Sequence, residues 1–195
     1  MKKSLSWTFF ILSILLLSTC CDDDDNPGQP VEDPDPYEGC CGTEPGEYIF
    51  GSINIYVPNA FTPDNDGIND LFTISASQDT TGIFVLASIV LTDREENELF
   101  SAVDTQPNQI TSSWDGLDNN GQAYTGLFNY EIVFSDGSGN QETQMGQACA
   151  VRCEVDDMGN LPNISDPTNC AFPLNHDGEG GYDPFLPSGE NSDCF

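Results

Sequence analysis

The stretch that most constrains the fold is residues 55–74, IYVPNAFTPDNDGINDLFTI, which reads as a strand, an acidic loop and a second strand. Ile55 and Val57 alternate with other residue types, as happens in a strand with one buried face. Pro58 ends this run, and Gly67 lies in a series of Asp and Asn residues, where it can adopt positive φ at little cost. We therefore predict two short strands joined by a polar loop.

The loop in this stretch presents oxygen atoms at two-residue spacing. They belong to Thr62, Asp64, Asp66, the Ile68 carbonyl and Asp70. Such spacing lets a chain wrap its oxygens around a hard cation, so Ca²⁺ is a candidate cofactor. An EF-hand-like loop, however, has an acid at its first position and a bidentate Glu at its twelfth, where this chain has Thr62 and Thr73. The alternative is that the Asp and Asn side chains cap their own turn through hydrogen bonds.

Strand-like segments separated by turns continue downstream of this loop. Residues 82–94 are rich in Val, Ile and Leu, and residues 99–103 suggest a returning strand. Residues 118–121, DNNG, are a hairpin signal, and apolar residues alternate strictly over 128–134. A last strand is expected over residues 146–152. About seven short strands with regular turns predict an all-β fold, an immunoglobulin-like β-sandwich over residues 48–152.

Two blocks of sequence resemble one known family. The first is VPNAFTPDNDGIND, Val57–Asp70, and the second is WDGLDNNGQ, Trp114–Gln122, followed by GLFNY. Both resemble the gliding-motility-associated C-terminal domain of Bacteroidetes, also called the type B sorting domain of the type IX secretion system. The resemblance implies an immunoglobulin-like sandwich that serves as an export signal. The family usually has Trp-Gly-Asn after an Asp-Arg pair, where this chain has Glu95-Glu96-Asn97.

Residues 1–19 are typical of a bacterial lipoprotein signal peptide, with two lysines before a short apolar core, Trp7–Leu17. The core ends in Leu-Ser-Thr-Cys, which resembles a lipobox. We predict that Cys20 is acylated and that the acyl chains hold the protein to a membrane leaflet. Cys21 is a weaker candidate.

An acidic, proline-rich segment follows and covers residues 20–47. Its composition predicts an extended, disordered tether. The aspartate run at residues 22–25 resembles the signal that directs Bacteroidetes lipoproteins to the outer face of the outer membrane. We therefore expect a surface-exposed outer-membrane lipoprotein.

The cysteines beyond this run are candidates for disulfides, because an exported chain meets an oxidising compartment. They are Cys40, Cys41, Cys149, Cys153, Cys170 and Cys194. Their spacing does not select a pairing, but two precede the domain and the others close or follow it. At least one bridge should therefore tie the N-terminal side to residues 153–195, which we expect to form a cysteine-rich tail packed on the sandwich. Zinc is a weaker alternative, because the chain has no C-x-x-C pair and one histidine.

The charge balance narrows the possible functions. The formal net charge is −29 with four basic residues, which argues against binding of nucleic acid. The sequence has one histidine and lacks the common hydrolase and nucleotide-binding motifs, so we predict a non-catalytic protein.

The sequence is consistent with two functions. The first is a tethered interaction module that binds a protein partner in a gliding or type IX-related assembly, or an extracellular ligand such as a glycan. The second is a type IX sorting or attachment domain, which is less favoured because only a linker precedes the domain and residues 153–195 follow it.

Overall fold

The computed structural model describes residues 35–77, 84–153 and 162–190. These residues form eight strands and three single-turn 3₁₀ segments, with no α-helix among them. The strands are β1 (Gly46–Phe50), β2 (Ile53–Val57), β3 (Ala60–Phe61), β4 (Ser75–Ala76), β5 (Val85–Thr92), β6 (Glu98–Thr105), β7 (Gly126–Ser135) and β8 (Gln141–Ala150). This content confirms the predicted all-β class. The predicted signal peptide, Cys20 and Cys194 lie outside the described residues.

The strands form two sheets that pack as a sandwich. One sheet has the order β1-β2-β4, and the other has the order β3-β8-β7-β5-β6. All pairings are antiparallel except that of β3 with β8, which places Ala60 beside Cys149 and Phe61 beside Ala150. Because β2 and β3 belong to different sheets, Pro58 and Asn59 carry the chain from one layer of the sandwich to the other.

The core lies between the sheets and is rich in aromatic residues. In β7, Phe128, Tyr130, Ile132 and Phe134 are buried while their neighbours are half-buried or exposed, which confirms the predicted alternation. Trp114 is also buried, and its ring lies 5.1 Å from that of Phe128. Burial of each such large side chain contributes about 1.5–3 kcal/mol to folding.

The N-terminal boundary of the domain differs from the expected one. The sequence predicts a tether over residues 20–47, but β1 begins at Gly46. Residues 35–45 form turns, and within them Cys40 and Cys41 are each only 3% exposed. The tether prediction is therefore wrong for residues 35–47. These residues are ordered despite their proline-rich composition, because disulfides and the packing of Tyr37 hold them against the sandwich.

Two strand boundaries also differ. Residues 71–74 were expected to form a strand, but they contribute only an isolated pairing of Phe72 with Trp114. The last strand begins at Gln141, five residues before the predicted position, because β8 pairs with β7 along its whole length. Its first half is mostly exposed and lacks the alternation that marks a half-buried strand. Across the described ranges, no helix is long and apolar enough to cross a bilayer.

Candidate functional site

The motif loop, residues 62–70, follows β3 directly. Its backbone turns through three residues with positive φ: Asn65 at 65°, Gly67 at 93° and Asn69 at 49°. Gly and Asn adopt this conformation more readily than other residues. The N–H of Thr62 donates to the carbonyl of Asn69 at 3.0 Å and closes the loop. The Asp, Asn and Gly content of this stretch therefore produces a compact closed loop.

Three carboxylates converge inside the motif loop. One oxygen from each of Asp64, Asp66 and Asp70 lies within 4.8 Å of the others. Each carboxylate also accepts a loop N–H: Asp64 from Asp66 at 3.1 Å, Asp66 from Ile68 at 2.7 Å, and Asp70 from Gly67 at 2.8 Å. Burial raises the pKa of Asp64, the Asp66 N–H opposes this rise, and the charges of Asp66 and Asp70 add to it. The self-capping hydrogen bonds are present, and Ca²⁺ binding by the converging carboxylates stays a prediction.

The other two predicted calcium ligands, Thr62 and Ile68, are partly occupied by other contacts. Thr62 is fully buried, and its hydroxyl lies 3.4 Å from the Ile68 carbonyl and in hydrogen-bonding contact with Glu190. Burial raises the pKa of Glu190, while hydrogen bonds from Thr62 and Asn69 lower it and the charges of Asp66 and Asp64 raise it. Glu190 is thus a fourth carboxylate beside this loop.

Sequence reasoning missed Glu190 because it lies more than one hundred residues further along the chain. Glu190 and Asp64 also approach Cys153 closely enough to resemble a metal site. Cys153 is disulfide-bonded, however, and so has no thiolate to offer a metal ion.

The tail, which we define as residues 162–190, binds the first sequence block through Asn59. The Asn59 side-chain amide donates to the carbonyls of Asn169 at 2.9 Å and Thr43 at 2.6 Å, and its oxygen accepts the N–H of Ala171 at 2.6 Å. The main-chain N–H groups of Asn59 and Ala60 both donate to the carbonyl of Ala171, at 3.1 and 3.2 Å. Asn59 is 2% exposed, so a buried polar side chain is satisfied mainly by the tail.

Asn69 holds a second part of the tail to the motif loop. Its side-chain oxygen accepts the N–H of Leu174 at 3.0 Å. Its amide donates to the carbonyl of Ser188 at 2.8 Å and to the carboxylate of Glu190 at 2.7 Å. Asn59 and Asn69 both belong to the family-like block, yet nothing in a single sequence indicates that they bind the tail. In the structure, the burial of both Asn side chains is what indicates that they bind the tail.

The second sequence block packs against the first. Trp114 and Phe72 exchange main-chain hydrogen bonds of 2.8 and 3.1 Å, and the Trp114 indole donates to the Leu117 carbonyl at 2.7 Å. Gly116 has a φ of 78°, and a Cβ there would lie 2.7 Å from the Pro63 side chain, so only glycine allows this approach. The two blocks thus form one structural unit.

Arg152 joins these blocks at the end of β8. Its guanidinium donates to the carbonyl of Pro63 at 2.8 Å and contacts the carbonyls of Tyr124 and Gly116 at 3.3 and 3.5 Å. In a chain with few basic residues, this arginine binds main-chain oxygens of both blocks. Arg152 therefore has a structural role beside the motif loop.

Four other acidic turns share one geometry, and we call them the self-capped turns. In each, an Asp carboxylate oxygen accepts the N–H groups of the second and fourth following residues at 2.6–2.9 Å. Their Asp residues are Asp93, Asp118, Asp136 and Asp177. The residue three positions after each Asp has positive φ: Glu96 at 67°, Gly121 at 75°, Gly139 at 85° and Gly180 at 78°. These aspartates stabilise their own turns.

Hydrogen bonds from the turn N–H groups lower the pKa of Asp118 and Asp177, and a bond from the Asn140 side chain is the largest cause of the lowered pKa of Asp136. Residues 175–183, a second oxygen-rich segment, contain one of these turns. The only histidine, His176, accepts the N–H of Gly178 at 3.0 Å within it.

Five of the six candidate cysteines lie in the described ranges. Cys40 pairs with Cys149 and Cys41 pairs with Cys170. The second bridge ties the N-terminal side to the tail, as the sequence led us to expect. Cys153 is disulfide-bonded as well.

Part of the chain matches a known protein family. Residues 55–147 match the model of a family described as the CHU_C type IX secretion signal domain. No curated protein matches the chain. The matched range contains both sequence blocks and ends within β8, so the N-terminal cysteines and the tail lie outside it.

Proposed function

Because residues 55–147 match the type IX secretion signal domain family, we propose that this chain is a non-catalytic cell-surface lipoprotein whose sandwich is a tethered interaction module. The lipobox-like sequence supports acylation at Cys20 in the outer membrane. The family match is the observation that carries the proposal, because it links the fold to export and to the cell surface.

A binding role agrees with the chemistry of the chain. The matched family is a secretion signal family rather than a catalytic one. The proposed partner is a protein of a gliding or type IX-related assembly, or an extracellular ligand such as a glycan. The formal net charge of −29 argues against nucleic acid as a binding partner. We also propose Ca²⁺ as a ligand of the motif loop, held by its converging carboxylates.

Metabolic labelling with an alkyne fatty acid tests the anchor. We expect the full-length protein to be labelled, Cys20→Ser to abolish the label, and Cys21→Ser, the matched control one residue away, to keep it. Protease treatment of intact cells should then digest the wild-type protein. Equal labelling of the Cys20→Ser variant, or protection from the protease, would contradict a surface lipoprotein.

The alternative is a type IX sorting or attachment domain, which the same family match also supports. The two functions differ in how they depend on the secretion machinery. In cells that lack the type IX translocon, a lipoprotein module should still reach the surface, whereas a sorting domain should keep the protein inside. Cross-linking and affinity purification from the wild-type membrane then identify a protein partner, and a glycan array tests the extracellular ligand.

A further inference from the structure

We propose that the motif face, formed by the side chains of Asn59, Thr62 and Asn69 and the N–H groups of Asn59 and Ala60, is a peptide-binding surface whose ligand here is the chain's own tail. The inference goes beyond the proposed function, since it requires neither lipidation nor type IX export.

At the end of the motif face formed by Asn59 and Ala60, the tail is bound largely through its main chain. Asn59 contacts the carbonyl of Asn169 and the N–H of Ala171, and two adjacent N–H groups converge on the carbonyl of Ala171. The contacted main chain leaves a 3₁₀ turn at Asn169 and is extended at Cys170 and Phe172, so these contacts fit a short extended stretch in this register. Peptide-binding domains that add an extended segment obtain affinity in the same way.

Specificity at this end comes from two tail side chains. Ala171 is fully buried, and Phe172 is 4% exposed and packs with Cys149, Val151 and Ile164 in a small cluster apart from the main core. The Tyr56 hydroxyl donates to the Phe172 carbonyl at 2.8 Å, and burial raises the pKa of Tyr56. The surface therefore selects a small residue followed by a large apolar one.

The far end of the tail is recognised by the motif loop. Asn69 and Thr62 both donate to the carboxylate of Glu190. Between the two ends, Gly180 approaches the sandwich so closely that a Cβ there would lie 2.1 Å from the Asn54 carbonyl. The fitting partner is therefore a segment that is extended at a small–aromatic pair, turns on either side of it as the tail does, and has a glycine where it crosses β2 and a carboxylate at the distal end.

The tail behaves as a ligand because the main core is built without it. The cluster between the sheets contains residues from 53 to 150 and none from the tail. No described tail residue belongs to either sheet. The tail instead packs on the outside and is tied to the described N-terminal residues by the Cys41–Cys170 disulfide. While it is bound, the motif face is closed to any other chain.

A cleavable form of the protein tests this inference. The chain is expressed from Asp22 with a protease recognition sequence inserted between Met158 and Gly159. Cys41, Cys153, Cys170 and Cys194 are replaced by Ser, so that Cys40–Cys149 remains and the cut tail has no covalent tie. After cleavage, gel filtration measures tail retention. Fluorescence anisotropy measures exchange with a labelled peptide of residues 162–190 that carries Ser at position 170.

We expect the cut tail to co-elute with the sandwich and the labelled peptide to bind saturably. Asn59→Ala combined with Asn69→Ala should weaken peptide binding by at least about tenfold, because several hydrogen bonds to buried groups are lost. Asn65→Ala, in the same loop but exposed, should leave binding unchanged.

Three results would overturn the proposal. The first is a sandwich that keeps native circular dichroism but neither retains the tail nor binds the peptide. The second is peptide binding that does not depend on Asn59 and Asn69. The third is unfolding of the sandwich once the tail leaves, which would make the tail an integral part of the fold. None of these results bears on the acylation of Cys20, so the two proposals fail independently.

Discussion

In the self-capped turns, one aspartate satisfies the N–H groups of its own turn, whereas in the motif loop three aspartates converge and a distant segment completes the hydrogen bonding. Asp136 accepts two main-chain N–H groups and a side-chain amide without help from elsewhere. Asp64 accepts one N–H and faces two further carboxylates. Both kinds of loop are acidic, and all but the Asp93 turn contain glycine.

The pKa values of Asp64 in the motif loop and Asp136 in a self-capped turn are shifted in opposite directions. Hydrogen bonds lower the pKa of Asp136, whereas burial and neighbouring charges raise the pKa of Asp64 against opposing main-chain hydrogen bonds. An acidic glycine loop therefore does not identify a binding site by composition. An excess of carboxylates over available donors distinguishes the motif loop, and a cation or a donor from another segment would relieve it.

The largest effect should follow removal of the external support of the motif loop. Asn69→Ala should lower the free energy of unfolding by about 2–4 kcal/mol, because it leaves the N–H of Leu174 and the carboxylate of Glu190 without their Asn69 partner. Urea unfolding followed by tryptophan fluorescence measures the change.

Asn65→Ala is the matched control, since Asn65 also has positive φ but an exposed side chain. It should cost no more than about 1 kcal/mol, the penalty for alanine in this conformation. Equal losses in the two variants would show that the backbone conformation, and not the contact with the tail, stabilises the loop.

The next largest effect should be stabilisation by Ca²⁺, which should depend on the motif loop and not on the self-capped turns. If the motif loop binds Ca²⁺, a free concentration ten times Kd should stabilise the protein by about 1.4 kcal/mol. Thermal melts with CaCl₂ should show a saturable rise in Tm that Asp64→Asn with Asp70→Asn abolishes. Asp118→Asn with Asp136→Asn, in the self-capped turns, should retain the rise.

The necessary reference is NaCl at equal ionic strength, because salt alone stabilises a chain of this charge by screening. If the rise in Tm is the same in both double variants, or if NaCl reproduces it, the motif loop does not bind Ca²⁺ specifically.

Much of the sandwich could be predicted from local pattern. The alternation in β7 and the turn at residues 118–121 each depend on neighbouring residues, so a single sequence shows them. β1 was missed because it is short and begins at a glycine. β3 has two residues and pairs in parallel with the last strand, a contact that no local pattern encodes.

The candidate site was predictable only within its own loop. Asp64, Asp66 and Asp70 converge as their spacing suggested. The partners that complete the site, above all Glu190, come from a segment more than one hundred residues away, whose composition suggested only a surface tail. The roles of Asn59 and Asn69 depend on that long-range packing, and so their types alone did not reveal them.

One self-capped turn departs from the other three, and this difference predicts a stabilising change. Glu96 occupies the positive-φ position that glycine occupies in the others. Glu96→Gly should raise the free energy of unfolding by up to about 1 kcal/mol, because glycine adopts this conformation without a Cβ penalty. Gly121→Ala is the reverse control, since nothing lies within 4 Å of the added Cβ. A loss of stability in Glu96→Gly, measured by urea unfolding, would contradict the shared geometry.

The smallest effect is a difference in the sign of pH dependence. The raised pKa of Asp64 means that its ionisation lowers the stability of the fold as pH rises above the ordinary pKa near 3.8. The Asp64→Asn variant should therefore become more stable relative to the wild type between pH 4 and pH 7. The lowered pKa of Asp136 gives stability that is present above that value and is lost as pH falls through its folded pKa. Asp136→Asn should therefore be less stable than the wild type at pH 7, and the gap should close in acid. Urea midpoints at pH 3, 5 and 7 measure both differences. Slopes of the same sign would mean that hydrogen bonds outweigh burial and charge repulsion at Asp64 as they do at Asp136, with no excess of charge for a cation to relieve.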